Sequence, residues 1–291
     1  MINRTRFLDR FTHGIHLLDG ATGTMLRKAG MPAGCCAEQW ILDHPRPLAA
    51  LQNAYCEAGS EIIYAPTFLA QPLALAKWNL AAETARINRE LVSLSRAAAP
   101  GCLVAGNLTT MQGSVDPLQG NASELIRDAY RSQIAALLDG GADLLVAETL
   151  MNISEAVTIL DLAREMNAPA VMISFACMDD GKLYSGESAA DAVYAADRAG
   201  AAAVGVNCIA ASAALPGLIG KLRAQTKLPL ICKPNAGRPV KDLYPVTVPQ
   251  FTSVMQECIS SGSSLIGGCC GTSPEYIAAL KKACVLRNCS D

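Results

Sequence analysis

Three cysteines in this chain have the types and neighbours to share one ion: Cys208 in GVNC, and the adjacent Cys269 and Cys270 in GGCCGTSPEY. Three thiolates without a histidine suit zinc, a borderline-soft ion that favours sulfur. The histidines, His13, His16 and His44, all lie near the N-terminus. Adjacent cysteines in a regular strand point to opposite faces, so sharing an ion needs irregular backbone, which Gly267, Gly268 and Gly271 supply. Three protein ligands leave one tetrahedral position open, the mark of a catalytic zinc site. Such electron-rich zinc is suited to holding a fourth thiol in its deprotonated form, so the chemistry expected is alkyl transfer to a substrate thiol. An amino-thiol substrate needs a carboxylate for its ammonium group, which Glu148 or Asp19 could offer. Its own carboxylate could sit on backbone N–H groups of the DGATGT turn. Two plainer readings compete: Cys208 as a buried small residue, and the cysteine pair as a vicinal disulfide in a non-catalytic zinc or redox protein.

These residues matter only if the fold brings them together. Continuous apolar runs predict strands at 15–20, 61–68, 102–110, 143–149, 169–176, 202–208, 228–237 and 263–270. Helical patterns lie between them, several closing on glycine just before the next strand, as in EAGSEI, DGGADL, RAGAAAV and SSGSSL. Asn121 or Ser123 is the expected cap of one helix, and Ser154-Glu155 opens the next. Eight βα units in 291 residues predict an α/β fold, a single (β/α)8 TIM barrel over residues 1–291 with its core at about 15–286. A doubly wound sheet is the alternative, but no G-x-G-x-x-G follows the first strand. On a barrel the chemistry belongs at the C-terminal strand ends, where Asp19, Thr67, Asn107, Glu148, Asn207, Cys208, Asn235, Cys269 and Cys270 fall.

Composition narrows the partners. With 51% apolar and 17% charged residues and a net charge of −2, the chain reads as globular, and without a basic stripe nucleic acid is not an expected partner. Residues 199–220 carry no charge, but Asn207, Ser212, Pro216 and four glycines break the run into a strand and a helix rather than a membrane span. The basic N-terminus has no apolar leader core, so a cytoplasmic location is expected. In a reducing compartment most of the twelve cysteines are small buried hydrophobes.

LLDGATGT, VAET, GVNC, KPNAG with the later LYPV, and GGCCGTSPEY together resemble the homocysteine S-methyltransferase family, and most of all the homocysteine-binding barrel of cobalamin-dependent methionine synthase. The resemblance runs from about Leu17 to Leu280. It implies that Cys208, Cys269 and Cys270 bind Zn2+, that Asp19, Gly20, Ala21 and Glu148 contact homocysteine, and that Asn235 sits beside the metal. The product implied is methionine, and the donor a methylcobalamin carried by a separate corrinoid protein. A small donor such as S-methylmethionine or betaine would need its own pocket, aromatic for a cationic methyl group. The aromatic residues placed near the mouth are Trp40, Tyr64, Phe68, Trp78 and Tyr184. GNLTTMQG and APTFLA depart from the common family pattern at the mouth, which bears on the donor more than on the zinc chemistry.

Overall fold

Each of the eight apolar runs forms a strand, and all eight pair in parallel. They are β1 (His16–Leu17), β2 (Ile62–Tyr64), β3 (Leu103–Thr109), β4 (Leu144–Leu150), β5 (Val171–Ala176), β6 (Ala203–Ala210), β7 (Leu230–Asn235) and β8 (Leu265–Ile266). The computed structural model describes residues 1–115, 120–241 and 243–288. Hydrogen bonding runs β1-β8-β7-β6-β5-β4-β3-β2, and a single bridge from Leu18 to Ile62 joins the two ends, so the sheet closes into a (β/α)8 barrel. Helices at 45–58, 84–98, 122–139, 153–165, 189–198, 215–223, 248–260 and 274–288 follow the strands in turn. Their apolar faces and the outward-facing strand residues form the larger core. No described helix is long and apolar enough to cross a membrane.

The strands that carry the site are shorter or more broken than their apolar runs suggest. β8 stops at Ile266, because Gly267 and Gly268 leave the ladder and turn the chain toward Asp19 and Thr272. Asn121 precedes the helix at 122–139 but makes no side-chain cap bond.

Residues 4–11 form a helix that the expected core at 15–286 leaves out. Asn3 caps it by accepting from the Arg6 N–H, and the i, i+4 pair Phe7 and Phe11 is wholly buried inside the barrel with Leu18, Ile62, Val146 and Met172. The helix seals the N-terminal end of the barrel: Ile2 bonds Asp143 and Ala170, and Arg4 Nε donates to the Ala201 carbonyl. Burying each ring stabilises the fold by roughly 2–3 kcal/mol.

The seam between β1 and β2 has a side-chain latch. His16 Nδ1 donates to Glu61 at 3.0 Å and its Nε2 donates to the His13 carbonyl at 2.9 Å, so both ring nitrogens need a proton. The hydrogen bond to Glu61 raises the His16 pKa. A histidine raised on folding adds stability that is complete below its unfolded pKa of about 6.5 and is lost as pH rises through the folded value. The melting temperature therefore falls as pH rises from about 6.5 through the folded value, by an amount worth under about 1 kcal/mol. Thermal melts of wild type and His16→Gln across that range check this. Equal slopes would show that the latch contributes nothing.

Candidate metal centre

The sulfurs of Cys208, Cys269 and Cys270 lie within 4.8 Å of one another, with Cys208 Sγ 2.9 Å from Cys269 Sγ. Among the described residues this is the one cluster of three or more cysteine, histidine or acidic groups able to hold a metal ion. Hydrogen bonds from the other two thiols push the Cys270 thiol down to about 3, and the same contacts push Cys269 up. The trio thus carries negative charge shared over sulfur, the environment a soft divalent cation neutralises. Three such donors, with no fourth protein group in the cluster, fit a tetrahedral zinc site with one position left for a ligand.

Two kinds of irregular backbone aim these sulfurs. After β8 the chain stays bound to both neighbours while leaving strand geometry. Gly268 N donates to the Asp19 carbonyl, Cys269 N to Pro234, and Ala236 N to the Cys270 carbonyl. Gly268 packs so closely that a Cβ there would lie 2.4 Å from Thr272 Oγ1. Gly271 has φ +83° and lies under the Tyr244 ring, where a Cβ would meet Cγ at 2.2 Å, so both positions exclude any side chain. On β6 the register against β7 slips between Asn207 and Ala210, and Cys208, inside that bulge, has φ +54°.

A cavity of about 360 Å³ opens in front of the trio, and Asp19, Gly20, Ala21 and Glu148 all line it. Glu148 accepts from Asn107 Nδ2 at 2.8 Å and Asn207 Nδ2 at 3.2 Å, and burial raises its pKa. Asp19 is nearly fully buried. One of its oxygens accepts from Tyr64 N at 2.8 Å, and the other from the ammonium of Lys233. Lys233 is itself 2% exposed and stands 3.7 Å above the Tyr64 ring. Burial pulls its pKa down, but the charges of Asp19 and Glu148 outweigh that and hold it above the ordinary lysine value. Ala21 N is already taken up by Thr272 Oγ1 at 3.2 Å. Asn235 ends β7 beside the cysteine pair. Its Oδ1 is buried without a partner, but it is not among the residues lining the cavity. Tyr64 OH and Asn107 Oδ1, which do belong to lining residues, are also buried and unpartnered.

Reading KPNAG for its asparagine misses Lys233. The available signal was a charged residue inside the buried run LPLICKPN, a position tolerated only when a partner carboxylate waits nearby. Of the aromatic residues expected at the mouth, Tyr64 and Phe68 line the cavity, whereas Trp40 stacks on His44 and Trp78 and Tyr184 are exposed. The outer wall holds Met31, Ile41, Phe68 and Leu69, with one acidic group, Glu38, buried there and accepting from Leu69 N at 3.0 Å.

The arrangement has known counterparts. A sequence model described as homocysteine S-methyltransferase matches residues 16–284. The methionine synthase of Mycobacterium leprae is 26% identical over 99% of this chain, which spans only 26% of that protein's length. The homocysteine S-methyltransferase of Escherichia coli is 30% identical, covering 92% of this chain and 94% of the relative. A crystal structure of the E. coli homocysteine methyltransferase MmuM in its metallated form superposes with a TM-score of 0.81 at 29% identity, covering 97% of this chain and 100% of that one.

Proposed function

Because this chain belongs to the homocysteine S-methyltransferase family and is an enzyme of that class, we propose that Cys208, Cys269 and Cys270 hold zinc, that homocysteine binds against Glu148, and that the methyl group comes from methylcobalamin on a separate corrinoid protein. The observation that carries this reading is the placing of three clustered sulfurs and a buried carboxylate on one cavity. Bound zinc would supply a deprotonated acceptor thiol at neutral pH.

The chain's own groups account for the rest of acceptor binding. Of the three carboxylates lining the cavity, Asp19 is offset by Lys233 and Glu38 lies on the outer wall, so Glu148 is the one left for an α-ammonium group. Gly20 and Ala21 form the wall on the Asp19 side, and Gly20 admits no side chain, because a Cβ there would meet Tyr55 Oη at 2.6 Å. Tyr64 OH and Asn107 Oδ1 offer unfilled hydrogen-bonding positions to it. The corrinoid donor rests on the sequence resemblance to the methionine synthase barrel, of whose named relative the chain spans 26% of the length.

One feature favours a small cationic donor instead. Glu38 is a buried carboxylate on the outer wall, beside the apolar side chains of Met31, Phe68 and Leu69, a combination that can receive a sulfonium or quaternary ammonium group.

A donor screen separates the two. Zinc-loaded protein with homocysteine is given methylcobalamin, methyltetrahydrofolate with a corrinoid protein, S-methylmethionine or betaine, and methionine is measured. Turnover with the corrinoid arms alone is the expected result, and turnover confined to a small donor would establish the Glu38 reading. X-ray absorption at the zinc edge should show a fourth sulfur when homocysteine is added. Reversible oxidation of two thiols with no response to homocysteine would point to a redox protein.

A further inference from the structure

We propose that Asn207 is a positioning residue that fixes the Cys208 sulfur and the Glu148 carboxylate in one arrangement, tying metal binding to acceptor binding. The inference rests on the reading of the thiol trio as a zinc site and of Glu148 as the acceptor's partner.

Two bulges stand on either side of β5. On β4 the chain advances from Ala147 to Leu150 while β5 advances from Ile173 to Phe175. On β6 it advances from Asn207 to Ala210 while β7 advances from Lys233 to Asn235. Each bulge inserts one extra residue, and each holds a non-glycine residue at positive φ: Thr149 at +60° and Cys208 at +54°. For a β-branched residue such as Thr149 this conformation is strained and persists only where the surroundings impose it.

Asn207 is what imposes it. Its side chain is wholly buried, and its Oδ1 accepts from Thr149 N at 2.8 Å and from Ser174 Oγ at 3.0 Å. Its Nδ2 donates to Thr149 Oγ1 at 2.8 Å and to Glu148 Oε2 at 3.2 Å. A primary amide has two donors and two acceptor sites, and all four are used, so only one amide orientation satisfies them. The Thr149 hydroxyl in turn donates to Cys208 Sγ at 3.8 Å. One side chain thus bolts the β4 bulge to the β6 bulge, and its neighbours in sequence and space are a metal ligand and the acceptor carboxylate.

The test compares Asn207→Leu, similar in shape but without hydrogen bonds, with Asn207→Asp, which keeps both acceptor bonds to Thr149 N and Ser174 Oγ. Zinc affinity is read by competition with a chromogenic chelator, and kcat and KM for homocysteine are read at saturating zinc. Asn207→Leu is expected to weaken zinc binding by about 10–100-fold, the usual cost of losing a group that orients a ligand. Its KM for homocysteine should rise at least about tenfold while kcat changes less, because Glu148 loses a donor. Asn207→Asp keeps those two acceptor bonds but loses both donors and sets a second carboxylate against Glu148 Oε2, so its KM for homocysteine should also rise at least about tenfold. Zinc affinity in Asn207→Leu within about threefold of wild type would overturn the inference. Should Asn207→Leu not fold, the aspartate variant decides, because an unchanged KM for homocysteine there would overturn the inference. Wild-type protein that binds no zinc would instead remove the functional reading itself.

Discussion

Cys208→Ser abolishes zinc retention and lowers methyl transfer to homocysteine at least about 100-fold, while the protein stays folded with a melting temperature within a few degrees of wild type. The magnitude follows from comparison: losing a group that merely orients a metal ligand costs about 10–100-fold, so losing a ligand costs more. The fold survives because serine is nearly isosteric and meets the positive φ at this position no worse than cysteine does. The sulfur is also only partly buried, so little packing depends on it. Metal content after dialysis, the rate of methionine formation and a thermal melt settle the matter together. Full activity in the serine variant would show that the thiol trio is not the reacting centre.

Lys233→Met lowers the melting temperature by about 5–10 °C. It leaves Asp19 and Glu148 both buried with no cation between them. Removing one partner of a buried pair typically costs about 3–5 kcal/mol, because the remaining charge is stranded away from water. The double variant Asp19→Asn with Lys233→Met recovers most of that loss, since it removes both charges of the pair together. Differential scanning calorimetry of the two single variants and the double variant is the measurement. A shift below about 2 °C in Lys233→Met would mean that the pair contributes no net stability.

The alternation of apolar runs with helical patterns marked all eight strands, because parallel strands covered on both faces need uninterrupted hydrophobic sequence. The cysteines stood out because their chemistry is rare and their glycine neighbours are tied to a backbone that leaves the ladder. Other features had weaker local signals or none. The helix at 4–11 reads as a polar, basic leader until Phe7 and Phe11 are seen on one face, and nothing local says that this face enters the barrel. The positive φ of Thr149 runs against its residue type. It is dictated by a ladder slip and by an amide 58 residues away, so it belongs to tertiary structure alone. Lys233 lay between these cases, a visible anomaly whose partner could be found only by folding the chain.

The seal at the N-terminal end of the barrel has a consequence for how the protein is made. Arg4 bonds the carbonyl of Ala201, a separation of 197 residues, and Phe7 and Phe11 pack against strands from both halves of the chain. This helix therefore has no complete seat until the chain has been made at least as far as Ala201. Contacts of such long range slow folding, and during synthesis the two phenylalanines stay exposed on a nascent chain with nothing to bury them. A chaperone that holds amphipathic segments would find its client here until the strands that seat the helix have followed.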